Sequence, residues 1–233
     1  MEIYIKPTNA DSVPCPYISG NEFIQRYSVL NKLDPDEIDF LFENGWRHFG
    51  MFFFIPNCEQ CKECRPIRTV INHFTPSKSQ RRNLKKNNEI IETEFIDPIF
   101  SDEIYNIYKK HSLVKFNQKT SKDDFKESFF SNVLPGNQKM SLFRYNGKLV
   151  GLGFLDISKN GISSIYFCYD TDYSKLGLGV YSVLKEIEYG LSLDKSYYYL
   201  GYFVKGNNSM EYKGKYTPSE ILDWSKNSWV VFK

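Results

Sequence analysis

Two Asn-Gly dipeptides, Asn146-Gly147 and Asn160-Gly161, each lie between apolar runs in the second half of the chain. Asn and Gly tolerate positive φ, so this pattern marks a β-hairpin. MSLFRYNGKLVGLGFLDI and LDISKNGISSIYFCYD therefore predict three consecutive antiparallel strands from about residue 139. A Gly-containing loop (SKLGLG), an amphipathic helix near 179–191 and an aromatic strand, SYYYLGYF, follow. Strand, Gly loop, helix, strand is a crossover unit, here appended to a meander. The expected class is α+β with a mixed sheet.

The first 75 residues differ in composition and hold four of the five cysteines. They predict a small cysteine-containing module, 1–75, ahead of a larger domain, 76–233, with room for an N-terminal segment to pack into that domain. One helix in the module is well signalled: Asp34 as N-cap, Pro35 in the first turn, Asp36 and Glu37 at the positive end, Gly45 past the end. Ile38, Leu41 and Phe42 follow helical spacing. Two further helices are expected near 101–112 and 121–131.

Net charge is +2, so any electrostatic signal must come from local clustering. The N-terminus lacks a basic stretch followed by an apolar run, and the longest apolar stretch, Gly50–Pro56, falls far short of the roughly 20 residues of a membrane span. A soluble, cytoplasmic, monomeric protein without a membrane partner is expected. In a reducing compartment, thiols at ligand spacing are ligands or free thiols rather than disulfides.

Cys58, Cys61 and Cys64 stand at three-residue intervals, and Cys15 lies in the turn-like PCPY. Four soft thiolates suit zinc or an iron–sulfur cluster, with free thiols at chance spacing as the alternative. Cys168, among alternating strand aromatics, reads as a buried small hydrophobe. SKSQRRNLKKN carries Lys78, Arg81, Arg82, Lys85 and Lys86 with no acidic residue. On a helix these cations repel at four-residue spacing, which a phosphate backbone would relieve; a solvated charged face is the plain alternative. Free amides at a helix start after Gly177 and Gly179 can hold an anion or a carbonyl oxygen, though a simple strand–helix turn would look the same. His48, His73 and His111 lie far apart and suggest no triad or metal site.

Taken in order, CPYISG, GWRHFGMFFFIPNCEQCKECRPIR, FTPSKSQRRNLKKN, LVGLGFLDI, SSIYFCYD, LGVYSVLKEIEYG and YYYLGYFVKGNNSMEYKGKYTPSEIL resemble the arginyl-tRNA–protein transferase family, most of all its short bacterial aspartate/glutamate leucyltransferase branch. The resemblance runs from about residue 10 to 225 and is weakest over 90–138. It implies transfer of an amino acid, leucine in that branch, from aminoacyl-tRNA to the N-terminal amine of proteins beginning with Asp or Glu. That tags them for N-degron proteolysis. It also implies an acetyltransferase-like (GNAT) C-terminal domain. No cofactor is required for the chemistry: the donor ester is already activated, and an acceptor amine of ordinary pKa roughly 7.7–8.0 is partly neutral near pH 7. Zinc or an iron–sulfur cluster at Cys15, Cys58, Cys61 and Cys64 stays open.

Roles follow as expectations. Gln80, Arg81, Arg82 and Lys85 would contact tRNA phosphates. Asp170 and Glu186 are the acid/base candidates, with Tyr166, Tyr169 and Tyr181 around them, each carboxylate having a structural role as its alternative. Arg47, Arg68 and Lys213 would meet the acidic acceptor residue, because a carboxylate needs a cationic partner. The backbone at Gly177, Gly179, Gly201 and Tyr202 would line the donor site. Two departures from the family pattern stand out: Gly177-Leu178-Gly179 replaces Ser-Leu-Gly, and Arg47-His48 replaces Arg-Arg. The competing functions are arginine as donor, a coenzyme A-dependent N-acetyltransferase, and a non-enzymatic metal-stabilised RNA-binding protein. The last two leave, respectively, the basic run and the Gly-containing half unexplained.

Overall fold

The structure, a computed structural model, describes residues 1–233. Strand β1 (Glu2–Asn9) leads through the short pair β2 (Val13–Pro14) and β3 (Glu22–Phe23) to β4 (Gln25–Asn31) and helix α1 (Pro35–Glu43). Asp34 accepts from the Asp36 and Glu37 amides, Glu37 accepts from the Asp34 amide, and Gly45 turns the chain at φ +83°. That closes both ends of α1 with the residues its sequence marks out. Strands β5 (Arg47–Phe49) and β6 (Phe52–Pro56) complete an antiparallel sheet ordered β1–β4–β6–β5.

The chain then enters a larger sheet with β7 (Arg65–Val70). There follow α2 (Lys78–Asn88), β8 (Ile91–Ile96), α3 (Asp102–Phe116), α4 (Lys122–Phe129) and the meander β9 (Gln138–Tyr145), β10 (Lys148–Ile157), β11 (Gly161–Tyr169). Helix α5 (Leu178–Ser192) crosses to β12 (Tyr197–Phe203), and α6 (Asn208–Glu211), β13 (Ser219–Asp223) and β14 (Ser228–Val231) end the chain. The sheet has eight strands in the order β14–β13–β7–β12–β11–β10–β9–β8, all antiparallel except the β11/β12 pair. The mixed-sheet α+β class is as expected. The first 75 residues are shared between the two sheets, since β7 sits between β12 and β13. The core does not break at residue 75 either: Leu30, Ile38, Phe42 and Phe53 pack with Val133, Leu134 and Tyr199.

The two Asn-Gly turns differ. Asn146 and Gly147 both have positive φ, 49° and 75°, and join β9 to β10 through two residues. The second hairpin pairs Ile157 with Ile162 across a four-residue loop, Ser158–Gly161. Asp39 of α1 holds that loop by accepting from the Ser158 hydroxyl and from the backbone and side-chain amides of Asn160. A long-range carboxylate thus replaces the local turn geometry.

Apolar periodicity seats the helices. Val183, Leu184 and Ile187 of α5 cover one face of the sheet against Leu155, Ile162, Tyr198 and Leu200. Ile104 and Ile107 of α3 and Phe125 and Phe129 of α4 cover the other, against Met140, Leu152, Phe154 and a fully enclosed Cys168. Between them β11 and β12 pair only from Gly161–Ser163 against Tyr197–Tyr199. Past that point β11 bulges at Ile165 and β12 bulges at Leu200, and the two parallel strands part.

Candidate active site

Beyond Tyr199 the β12 backbone turns at Gly201, whose φ of +87° suits glycine. A Cβ there would stand 3.4 Å from Lys213 Nζ and 3.8 Å from Arg47 Nε. Two cations from opposite ends of the chain therefore meet at one bulge. Lys213 belongs to the short turn after α6, and its Nζ donates to the Tyr202 carbonyl at 2.9 Å. Burial, reinforced by the Arg47 charge, pushes Lys213 down to about 7. Arg47, the first residue of β5, is buried and donates to the Ser163 hydroxyl and the Ser164 carbonyl on β11. It spans the opening between the parted strands, and burial draws its guanidinium below its ordinary value. Tyr202 donates its hydroxyl to the carbonyls of Gly45 (2.9 Å) and Phe54 (3.2 Å), fixing β12 to the small sheet.

Glu186 lies on the opposite side of the opening. It is fully enclosed on α5 and accepts from Ser141 Oγ at 2.8 Å and from the Tyr198 hydroxyl. Burial pushes it up to about 7, against the lowering effect of hydrogen bonds from Tyr198, Ser141 and Ser164. Ser164 thus touches both groups, its carbonyl facing Arg47 and its side chain facing Glu186. Gly153 of β10 makes room for the cluster: a Cβ there would stand 2.5 Å from Ser141 Oγ and 2.6 Å from Glu186 Oε1.

The other expected residues fall elsewhere. Asp170 ends β11, accepts the Asp172 amide, and takes Lys110 Nζ at 2.5 Å and Lys148 Nζ at 3.2 Å. Burial would raise it, but those hydrogen bonds outweigh burial and hold it below the usual carboxylate range. With both oxygens occupied it is an ionised anchor. Tyr166 packs against Tyr108, His111 and Phe129, and Tyr169 against His111. Tyr181 donates to Asn88 Oδ1 at 2.9 Å in a separate apolar cluster beneath α2. Arg68 is held between the rings of Tyr197 and Trp229, at 3.6 and 4.2 Å, and donates to Glu220 at 2.8 Å. That guanidinium is saturated, whereas Arg47 and Lys213 share an opening.

Gln80 is buried and caps α2, its Oε1 accepting the Ser77 amide at 2.7 Å. Arg81, Arg82 and Lys85 are exposed and form no ion pair. Asn83 and Asn87 of the same helix donate to the carbonyls of Leu176 and Gly177, tying α2 to the turn before α5. There the Leu178 and Gly179 amides have no backbone partner, and Gly179 faces open space. Cys15, Cys58, Cys61 and Cys64 line one small pocket with Trp224. Burial first, then the nearness of Cys15, Cys58 and Cys61, pushes the Cys64 thiol up to about 12. The thiols converge, but no three His, Cys, Asp or Glu side chains anywhere stand in position to ligate one ion.

Sequence reasoning named Glu186 but missed its partners Ser141 and Tyr198, and it gave His48 no role, whereas the two ring nitrogens of His48 face Asp156 and the Gly50 carbonyl. The His48 position, where the family pattern has a second arginine, was the available signal.

Two family profiles match the chain: "Arginine-tRNA-protein transferase, N terminus" over residues 13–82 and "Arginine-tRNA-protein transferase, C terminus" over residues 101–223. An aspartate/glutamate leucyltransferase of Campylobacter jejuni is 36% identical over 220 residues, covering 91% of this chain and 90% of the relative. That of Helicobacter hepaticus is 33% identical over 224 residues, covering 94% and 91%. Among solved structures, FemX aligns with a TM-score of 0.49 at 8% identity, over 73% of this chain and 60% of FemX.

Proposed function

The chain belongs to the arginine-tRNA-protein transferase family and is an aminoacyl-tRNA–protein transferase, and we propose that it moves leucine from leucyl-tRNA to proteins whose first residue is Asp or Glu, marking them for N-degron proteolysis. The observation that carries the acceptor choice is the meeting of Arg47 and Lys213 at Gly201, in the opening of the parallel pair.

In the reaction the neutral α-amine attacks the ester carbonyl. A C–N bond forms, the C–O bond to the tRNA ribose breaks, the amine gives up a proton and the ribose hydroxyl gains one. No enzyme nucleophile is required; holding the reactants together supplies much of the acceleration. Arg47 and Lys213 are assigned to the acceptor's side-chain carboxylate. Lys213, near 7 when free, becomes fully charged beside a carboxylate, so an acidic residue draws in its own counter-charge. The amide of Gly179, which has no backbone partner and lies beside open space, is assigned to the donor carbonyl, where charge develops. Glu186 is shut away from substrate; it acts by positioning Tyr198 and Ser164, and through Ser164 the strand that Arg47 holds.

Arg81, Arg82 and Lys85 are assigned to tRNA phosphates, with Gln80 fixing their helix. The parted β11/β12 pair followed by α5 is taken as an acetyltransferase-like arrangement, with the cysteine-bearing N-terminal segment laid across it. Cys15, Cys58, Cys61 and Cys64 are the proposed holders of a zinc ion or iron–sulfur cluster, because four soft donors line one pocket. Their side chains must turn toward one another to ligate it, and it would brace the N-terminal segment without entering the reaction. No helix is long and apolar enough to cross a membrane; a monomer at work in the cytoplasm fits this reading.

The test offers leucyl-tRNA, arginyl-tRNA and acetyl-coenzyme A in turn to peptides beginning with Asp, Glu or Ala. Leucine should appear on the Asp and Glu peptides alone. Arginine or acetyl transfer, or equal use of the Ala peptide, overturns the assignment.

A further inference from the structure

The last turn of α3 carries three apolar side chains that nothing covers: Leu113, Val114 and Phe116 are 44%, 60% and 53% exposed. Asn117 ends the helix in the left-handed region, at φ 53°. From Lys109 to Lys122 the chain has five lysines and no acidic residue. Lys110 and Lys122 are committed to Asp170 and Asp102, which leaves Lys109, Lys115 and Lys119 exposed and without ion pairs. The patch reaches the end of β11, where Lys115 Nζ lies 5.6 Å over the Tyr169 ring. Beneath it His111 is buried, with its Nδ1 lacking any partner, and its ring meets Phe116 at 5.8 Å and Tyr169 at 5.0 Å. The turn that follows β11 is thus gripped by α3 through Lys110 and by α2 through Asn83 and Asn87.

We propose that this end of α3 receives the single-stranded, acyl-bearing 3′ end of the tRNA, with Phe116 stacking on an unpaired base and Lys115 and Lys119 holding its phosphates. The proposal rests on the aminoacyl-tRNA reading above and deepens it. Several exposed cations that form no ion pair favour a polyanion over a protein segment with a single acidic end. Bare apolar and aromatic faces suit unstacked bases, which a duplex does not offer. The neighbouring β11 end is where the esterified nucleotide must arrive if its carbonyl is to reach the Gly179 amide at the start of α5. The exposed cations of α2, by contrast, carry no aromatic side chain and fit the duplex part of the same molecule.

The experiment measures binding of leucyl-tRNA, and of the same tRNA trimmed back to its last base pair, to the full chain and to Phe116→Ala, Lys115→Ala and Lys119→Ala variants across a salt series. All three positions are exposed, so folding is not at stake. Phe116→Ala should weaken binding of intact leucyl-tRNA roughly tenfold, in line with about 1–3 kcal/mol per stacked base, with the salt slope unchanged. Each lysine variant should lower the log–log salt slope by about 0.7, the single-strand value. With trimmed tRNA these differences should vanish, whereas Arg81→Glu should weaken both ligands. Unchanged binding of the intact ligand, or an equal loss with the trimmed one, overturns the proposal. If the unmodified protein transfers leucine while the Phe116 and lysine variants match it, only this proposal falls; if it transfers no leucine, the functional reading itself has failed.

Discussion

Two buried groups with opposite charge habits should cancel in the pH dependence of stability, and removing either one should expose the other. Glu186 is raised from its ordinary 4.5 to about 7 by burial. A raised acid favours the fold below its unfolded value, and that contribution is lost as pH climbs through the folded value. His111 is lowered from its ordinary 6.5 to about 4, by burial first and by Lys115 second. A lowered base contributes above its unfolded value and loses that contribution as pH falls through the folded value. The two windows overlap between about pH 4.5 and pH 6.5. At about 1.4 kcal/mol per unit, each group changes stability by roughly 3 kcal/mol across that window, with opposite sign. The unmodified protein should therefore be nearly flat there. Glu186→Gln should leave the histidine alone, so that stability rises with pH by roughly 3 kcal/mol; His111→Leu should leave the glutamate, so that stability falls by a similar amount. Urea unfolding at several pH values measures all three slopes. Carboxylates held low, such as Asp170, titrate below the window and do not mask the effect. If Glu186→Gln keeps the unmodified slope, Glu186 is not protonated inside the fold, and its positioning role loses its electrostatic basis.

Lys213→Met should raise KM for Asp- and Glu-starting peptides at least about tenfold, as expected for a lost buried carboxylate partner, while leaving tRNA affinity unchanged; steady-state kinetics with each substrate varied in turn checks this. Gly153→Ala should destabilise by roughly 1–3 kcal/mol or more through overpacking against Ser141 and Glu186, seen as a lower denaturation midpoint. Asp170→Ala should cost roughly 1–2 kcal/mol through the lost cap and lysine contacts, yet leave KM for the acceptor peptide where it was; a rise in that KM would return Asp170 to the site.

What the sequence made legible was local. The α1 caps, the first Asn-Gly turn and the helix after Gly177 each depend on neighbours within a few residues, and they occur where the pattern puts them. The open parallel pair followed from the order of elements. What stayed hidden depended on contacts distant in sequence. The second Asn-Gly turn is held by Asp39, more than a hundred residues away. Arg47, Gly201 and Lys213 are separate motifs in the chain, and only the fold distinguishes the pair that meets from Arg68, which is packed between rings. Asp170 and Glu186 look alike as acidic residues; one is neutralised by lysines from α3 and β10, and the other is enclosed by hydroxyls. The exposed end of α3 lies in the stretch where the family resemblance is weakest.

Strand β7 lies between β12 and β13, and both of those strands are made long after it. During synthesis Arg65–Val70 must wait, unpaired on both edges, until residues beyond 197 emerge. Such late closure implies slow, high-contact-order folding, and an interval in which two bare strand edges are open to intermolecular pairing. A C-terminal piece beginning after Phe74 would have a slot in its sheet where Arg65–Val70 belongs, and it would also lay bare Val133, Leu134 and Tyr199, which Leu30, Ile38, Phe42 and Phe53 cover.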